Sequence, residues 1–174
     1  RCHLNGVGVV DGEVRFATAL GATDAPAGWR EGKASGGLLL EVPSGRTLLS
    51  GLSMPHSPRW HDGRLWLLES GRGTLAAADL RAGTVETVVE LPGFTRGLAF
   101  AGRWAFVGLS QVRESVFGGI PLCERLSERL CGVWVVDLSR RAVAAFLRFD
   151  ETVEEIFDVQ LLPGRRWPEI VEPG

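Results

Sequence analysis

Short apolar runs separated by tight glycine turns recur along the chain and predict β-hairpins. The stretch 54–73, MPHSPRWHDGRLWLLESGRG, shows the unit most simply, with a strand, the turn Asp62-Gly63 and a second strand. Alternating apolar and polar residues are typical of half-buried strands, and Asp-Gly between two such runs is a strong hairpin signal. The pattern therefore predicts an all-β protein.

The hairpins repeat at a spacing that indicates a β-propeller. The shortest distance between equivalent turn glycines is 102 − 63 = 39 residues, and insertions within 21–37 and 111–131 lengthen the other two spacings. Both insertions fall between the second and third strands of a unit. A period of about 40 residues with four strands per unit is typical of propeller blades. The turn glycines are Gly12, Gly63, Gly102 and Gly164. A β-sandwich is the alternative, although it needs neither a fixed period nor insertions in register.

The repeat divides the chain into about three four-stranded blades and the first strand of a fourth. Each blade buries its faces against its neighbours, and the sequence begins inside a strand-like segment. We therefore expect a propeller fragment, the C-terminal part of a longer protein. The predicted units are blades 3–52, 53–91 and 94–149 (the last with the insertion 111–131), the start of the next blade at 154–164 and coil at 165–174.

One helix is predicted inside the second insertion. Leu122, Leu126 and Leu130 are spaced i, i+4 and i+8, which places them on one face of a helix. Pro121 suits the first helical turn, and Gly132 suits a stop. The helix is expected at about 121–130, over a blade edge or the face of the ring.

Composition narrows the function classes. Nineteen Lys and Arg against 21 Asp and Glu leave a net charge of −2, so no basic surface favours nucleic acid or an anionic membrane. No apolar run approaches the ~20 residues of a membrane helix. Cys2, Cys123 and Cys131 form no CxxC motif, which favours reduced thiols and a cytoplasmic protein. A Cys123–Cys131 disulfide is the alternative.

Polar residues gather where the mouth of a propeller channel is expected. The first strand of each blade lines the channel, and the insertions reach the same face as the segments leading into those strands. The primary ligand-binding candidates are His3, Asn5, His56, Ser57, Arg59, Arg96 and Asp158, with Trp29, Arg30 and Glu155 as secondary candidates.

These candidates allow a metal site. His3 and His56 could ligate a divalent ion together with Asp158 or Glu155, although the dense spacings HxH and HExxH are absent. The alternative is that the histidines bond to the backbone of the channel wall. Ser57 lacks a GxSxG context and is not expected to be a nucleophile.

The arginines allow an anion site instead. Arg59 and Arg96 would suit a carboxylate or phosphate, because guanidinium groups bind these anions bidentately. The alternative is that they pair with Asp158 or Glu155 of the next blade. Trp29 could stack on a ligand or cover the blade.

Several long motifs resemble a bacterial family of conserved hypothetical proteins. The resemblance rests on CHLNGVGVVDG, GWREGKASGG, GLSMPHSPRWHDGRLWLLESGRG, LPGFTRGLAFAGRWAFVGLSQVRES and EEIFDVQLLPG, and it covers nearly the whole chain. It implies a β-propeller and further sequence before the first motif. No activity is established for that family, so the resemblance carries the fold and not the function.

Three functions remain open from the sequence. The first is binding of a small molecule or peptide at the channel mouth. The second is a metal-dependent hydrolase or lyase of the lactonase-like propeller type, with one divalent ion as Lewis acid and Asn5 among its ligands. The third is a protein-interaction scaffold that uses the rim and the predicted helix. Whether the protein is an enzyme stays open.

Overall fold

The computed structural model describes residues 2–112, 118–150 and 152–169, whose regular secondary structure is almost entirely antiparallel β-sheet. Three four-stranded sheets follow one another along the chain, and within each sheet the strands pair in sequential order. The all-β fold and the three four-stranded blades predicted from the sequence are confirmed. We call the sheets blades 1, 2 and 3 in chain order.

The secondary structure elements have the following bounds. Blade 1 contains β1 (Leu4–Val10), β2 (Glu13–Ala19), β3 (Gly37–Glu41) and β4 (Thr47–Leu52). Blade 2 contains β5 (Pro55–His61), β6 (Arg64–Glu69), β7 (Thr74–Asp79) and β8 (Thr84–Glu90). Blade 3 contains β9 (Phe94–Ala101), β10 (Trp104–Ser110), β11 (Cys131–Asp137) and β12 (Ala142–Phe149). A 3-10 turn spans Gly28–Arg30, and helix α1 spans Pro121–Arg125.

Two-residue turns join the first and second strands of blades 1 and 2. Asp62 and Gly63 have φ angles of 53° and 72°, and they connect the paired residues His61 and Arg64. Positive φ at both central residues defines a type I′ turn, whose twist matches that of the flanking strands. The Asp-Gly signal in the sequence was therefore a correct indication of register as well as of the turn.

The inner strands stand side by side and form the channel wall. Strand β1 contacts β5, and β5 contacts β9. Blade 2 is covered on both sides, so β7 is buried along almost its whole length, with Leu75, Ala76 and Ala77 fully inaccessible. The two outer blades each have an exposed apolar face, with Phe146 65% exposed on blade 3 and Leu4 63% exposed on blade 1. Nearest-neighbour burial of this kind is the expected behaviour of a repeat fold.

The segment 152–169 occupies the place beside β9 and β10 but forms no strand. Ser110 Oγ accepts a hydrogen bond from Ile156 N at 2.8 Å and donates to Ile156 O at 3.1 Å. The backbone of Asp158 lies 2.6 Å from where a Cβ on Gly97 would stand. The predicted first strand of a fourth blade therefore lies where such a strand belongs. It lacks a hairpin partner among the described residues, and a ladder cannot form without one.

Helix α1 confirms the predicted helix but ends five residues earlier than expected. Leu126 is extended, with φ −126° and ψ 126°, and it closes the helix at Arg125. Leu122 is fully buried. Leu126 and Leu130 reach two different apolar clusters from extended chain, and Leu130 N donates to Pro92 O at 2.8 Å. The three leucines spaced i, i+4 and i+8 therefore pack against blades 2 and 3, but they do not lie on one continuous helix.

The three cysteines and the lengths of the helices bear on two of the sequence predictions. Cys2, Cys123 and Cys131 form no disulfide bond, so the alternative of a Cys123–Cys131 disulfide is wrong. Over the part of the chain that the structure describes, no helix is long and apolar enough to span a membrane. The cytoplasmic location stays a prediction.

Replacing Ser110 with alanine should release the segment 152–169 from blade 3. The substitution removes both bonds to Ile156, each worth about 1 kcal/mol, while the backbone bond from Gln111 N to Glu154 O at 2.8 Å remains. We expect the amide of Gln111 to exchange about tenfold faster, since it depends on the segment staying docked. Hydrogen exchange measured by NMR would show this. Ser127→Ala, at an exposed position, is the control, and equal exchange in both variants would contradict the prediction.

Candidate functional site

A cavity of about 200 Å³ opens where the three inner strands begin. His3 directly precedes β1, Met54 precedes β5 and Phe94 starts β9, so all three blades contribute from equivalent places. The loop between β2 and β3 adds Trp29 and Arg30. We call this cavity the channel-mouth pocket, and its lining residues are His3, Leu20, Trp29, Arg30, Met54, His56, Phe94 and Arg96.

Larger clefts occur elsewhere on the molecule, but they offer fewer side chains suited to binding a ligand. Volumes of about 340, 450 and 340 Å³ are found beside the strands and turns of blades 1 to 3. The buried carboxylate of the first of these, Glu69, already accepts hydrogen bonds from Ser53 N at 3.0 Å and Arg72 Nε at 3.2 Å. The channel-mouth pocket is smaller, but it combines a buried histidine, two arginines and an apolar floor.

The floor of the channel-mouth pocket is apolar and rigidly supported. Leu20, Met54 and Phe94 are each 5% exposed or less. They belong to one cluster with Val112, Ile120 and Leu122, so helix α1 packs directly behind the pocket. The described part of the second insertion therefore supports the pocket from behind, and the first insertion contributes Trp29 and Arg30 to its lining.

His56 is buried, at 6% exposure, and its hydrogen bonds fix its tautomer. Nδ1 lies 3.0 Å from Met54 O and 2.8 Å from Ser70 Oγ. Ser70 Oγ donates its own proton to Thr95 O at 2.5 Å, so it can only accept from the ring. Nδ1 must therefore carry the proton, since it faces two acceptors, and Nε2 is left as an acceptor.

Burial keeps His56 neutral. It lowers the pKa of His56 from 6.5 to about 4, with the charges of Arg96 and then His3 adding to the effect of burial and the Met54 carbonyl opposing it. A buried imidazolium beside a guanidinium would lack both solvation and a counter-charge. At neutral pH the pocket therefore has an uncharged acceptor next to cationic groups.

The arginines supply positive charge to the channel-mouth pocket. Arg96 is half-buried, and its guanidinium lies 4.3 Å from the centre of the Phe157 ring. Burial lowers the pKa of Arg96, and the carboxylate of Glu155 opposes that effect. Arg30 is exposed and lies 5.6 Å from the centre of the Trp29 ring. The same indole ring contacts His3, with the ring centres 5.3 Å apart.

Two of the sequence candidates connect neighbouring blades instead of lining the pocket. Asn5 Nδ2 donates to Pro55 O at 2.9 Å, and Asn5 Oδ1 accepts from Thr18 Oγ1 at 2.7 Å, which joins blades 1 and 2. Ser57 Oγ accepts from Gly97 N at 3.2 Å, which joins blades 2 and 3. Both side chains make hydrogen bonds within the channel wall.

Arg59 and Asp158 meet deeper along the channel, away from the pocket. Arg59 donates to Leu98 O at 3.1 Å and to Val7 O at 3.2 Å. Its guanidinium lies 3.5 Å from the carboxylate of Asp158, which also accepts from Val159 N and Gln160. Arg59 thereby links the inner strands of blades 1, 2 and 3 with the segment 152–169. It does not act together with Arg96.

The described residues do not assemble the metal site suggested by the sequence. His3 and His56 both line the channel-mouth pocket, but Asp158 is paired with Arg59. Over residues 2–112, 118–150 and 152–169, no group of three or more His, Cys, Asp or Glu side chains is placed to hold a metal ion.

Four residues of the site were missed by the sequence analysis. Leu20, Met54 and Phe94 form the floor, and Ser70 orients His56. The repeat contains a signal that could have identified Ser70. Ser70 directly follows β6 and Ser110 is the last residue of β10, and each donates a hydrogen bond to a carbonyl of the next segment, Thr95 O and Ile156 O respectively.

The fold and the pocket define a propeller domain with a ligand-sized cavity at its channel mouth. The chain belongs to the family described as Domain of unknown function (DUF4915), which matches residues 1–171. No curated protein matches the chain.

Three solved structures are similar to the chain. The computationally designed Ika4 protein has a TM-score of 0.52 at 13% identity, over 92% of this chain and 81% of that one. The computationally designed Ika8 protein has 0.48 at 14% identity, over 91% and 40%. The Neurospora crassa Pan2 WD40 domain has 0.44 at 13% identity, over 84% and 40%. At these identities the likeness to Ika4 concerns the fold alone.

Proposed function

We propose that this protein binds a small organic carboxylate in the channel-mouth pocket. The observation behind the proposal is that two arginines, Arg30 and Arg96, line a pocket whose floor is buried and apolar. Guanidinium groups bind planar carboxylates through paired hydrogen bonds, and desolvation by the floor strengthens such bonds. An apolar cavity with a few convergent polar groups is the usual form of a small-molecule site.

The size of the cavity limits the ligand. A dry apolar cavity of about 150 Å³ holds benzene, and drug-sized ligands occupy pockets of roughly 300–1,000 Å³. A volume of about 200 Å³ lies between these values. A ligand with one ring, or an aliphatic body of similar size, together with a carboxylate fits this range.

Charge favours a monoanion over a phosphate. Arg30 and Arg96 bring two positive charges to the pocket, and Glu155 acts on Arg96 with a negative one. One net positive charge matches one carboxylate. A phosphate carries more charge and is commonly held by several backbone N–H groups at a helix N-terminus or nest. Among the described residues, the lining of the channel-mouth pocket includes part of the short 3-10 turn Gly28–Arg30 and no residue of helix α1.

The structure gives less support to the two other functions. A metal-dependent hydrolase needs a ligand set, and the described histidines and carboxylates do not form one. A scaffold using α1 needs an outward apolar stripe, but Leu122 is fully buried and Arg125 is bonded to Arg72 O and Leu91 O. Ligand binding at the channel mouth is the function that uses the chemistry present.

Replacing Arg96 with glutamine should weaken the binding of benzoate by about 10- to 100-fold. This range corresponds to losing one charge-assisted hydrogen bond, about 1.5–3 kcal/mol. Isothermal titration calorimetry on the wild-type protein and the variant measures the dissociation constants directly. Arg81→Gln makes the same charge change beside a different cleft and should bind as the wild type does. Equal affinity in all three proteins, or no binding of benzoate to the wild type, would refute the proposal.

A further inference from the structure

We infer that the channel-mouth pocket selects carboxylates that also carry a hydrogen-bond donor, such as a hydroxyl group, because Nε2 of His56 faces the ligand as an acceptor. The inference rests on the proposed function and deepens it by naming the substrate class, a hydroxylated aromatic or aliphatic acid.

The hydrogen-bond chain behind the ring determines the role of His56. Thr95 O accepts the only proton of Ser70, which leaves Ser70 Oγ as an acceptor toward the histidine. Met54 O is an acceptor by nature and lies at 3.0 Å from the same nitrogen. If Nδ1 lacked a proton, three acceptors would meet with no donor among them. The protonated nitrogen therefore points into the protein wall, and the lone pair on Nε2 belongs to the opposite edge of the ring.

That opposite edge is the one left to face the pocket, because Nδ1 is engaged by Met54 O and Ser70 Oγ. His56 lines the cavity although its side chain is more than nine-tenths buried. Within the described ranges no residue donates a hydrogen bond to Nε2, and the ring meets Phe94 edge-on with centres 5.7 Å apart. The site therefore has an acceptor held in one orientation and enclosed by apolar side chains.

The electrostatic environment preserves this acceptor. Burial and the neighbouring charges of Arg96 and His3 lower the pKa of His56 to about 4, so the ring stays neutral at physiological pH. A neutral ring cannot donate from Nε2 to the carboxylate of a ligand. The arginines therefore bind the carboxylate of the ligand, and Nε2 accepts a hydrogen bond from a donor elsewhere on the ligand.

The energetic consequence is discrimination between close analogues. A ligand without a donor removes water from Nε2 and leaves a buried acceptor unpaired, which costs about 1–3 kcal/mol. Sites that hydrogen-bond a ligand hydroxyl reject the analogue that lacks it for this reason. The expected preference for the hydroxylated compound is therefore about tenfold or more.

The test compares matched pairs of ligands by calorimetry on the whole chain. Benzoate is measured against 3-hydroxybenzoate and 4-hydroxybenzoate, and phenylacetate against mandelate. We expect at least one hydroxylated compound to bind tenfold or more tightly than its partner, and this preference to disappear in His56→Phe, which keeps a ring in place. His61→Phe is the matched control, since His61 bonds to Gly102 O at another part of the channel, and it should keep the preference.

The outcomes separate this inference from the proposed function. If each hydroxylated acid binds no better than its partner while benzoate still depends on Arg96, the inference fails and the carboxylate site stands. If none of the five acids binds, both the inference and the proposed function fail.

Nitrogen-15 NMR of the wild-type protein gives a second measurement that needs no substitution. Nε2 of His56 should resonate as an unprotonated nitrogen in the free protein. The preferred hydroxylated acid should shift that resonance, and its partner should not. A protonated Nε2 at neutral pH would overturn the inference.

Discussion

Acidification from pH 6.5 to pH 4 should lower the free energy of unfolding of the wild-type protein by about 3 kcal/mol more than that of a His56→Gln variant. The pKa of His56 is about 4 in the folded protein, against 6.5 for an unperturbed histidine side chain. Between these values the unfolded chain binds the extra proton, so stability falls as pH falls. Each pKa unit corresponds to about 1.4 kcal/mol, and the loss is complete once the folded protein also takes up the proton.

Urea unfolding at a series of pH values measures this difference. Carboxylates at the surface, such as the partly exposed Glu41 and the exposed Asp79 and Glu86, have lowered pKa values and also lose stabilising contacts in acid, but they do so equally in both proteins. The variant therefore isolates the contribution of His56. His61→Gln replaces a histidine outside the channel-mouth pocket and should retain the wild-type slope. Parallel curves for the wild type and His56→Gln would mean that the ring is not held neutral.

The repeat made the blades predictable from the sequence. Type I′ turns require positive φ at two successive residues, which Asp-Gly supplies at Asp62-Gly63 and again at Asp11-Gly12. A turn fixes the register of the strands on either side, so these dipeptides locate the inner hairpins of blades 1 and 2. The third hairpin turns at Gly102, with φ 55°. The fold followed from local chemistry repeated at a constant spacing.

The division of candidates between pocket and wall was not predictable, because the inner strands are bulged. The ladder between β1 and β2 shifts register between Leu4 and Gly6, and that between β5 and β6 shifts between His56 and Arg59. The ladder between β9 and β10 shifts register between the partners of Val107 and Leu109. A bulge inserts an extra residue and re-aims the side chains around it. Alternation along the strand therefore does not tell which residues enter the pocket.

The bulges also explain why adjacent residues have different roles. Ser57 lies inside the second bulge with φ 50°, and Gly97 lies inside the third with φ 80°. Their backbones approach closely enough for Gly97 N to donate to Ser57 Oγ. His56, one residue earlier, is turned to the channel mouth. The same local distortion that joins blades 2 and 3 thus presents the histidine to the pocket.

Replacing Gly37 with alanine should destabilise the protein by about 2 kcal/mol and weaken ligand binding. A Cβ at Gly37 would overlap Pro55 Cδ and lie 2.7 Å from Leu52 O. A proline ring and a backbone carbonyl cannot rotate aside as a flexible side chain can, so blades 1 and 2 must separate. Overpacking of this kind typically costs 1–3 kcal/mol. Pro55 directly precedes His56, so the displacement reaches the histidine and its bond to Ser70.

Urea unfolding gives the stability of Gly37→Ala, and calorimetry with benzoate gives its affinity. Gly32→Ala is the matched control from the same insertion, since the nearest atom to its new Cβ is 3.6 Å away, an ordinary contact. The control should equal the wild type in both measurements. If Gly37→Ala is destabilised but binds normally, the pocket does not depend on the seam between blades 1 and 2. If it is as stable as Gly32→Ala, the close packing of β3 against β5 is wrong, because an added methyl group there has no free volume to occupy.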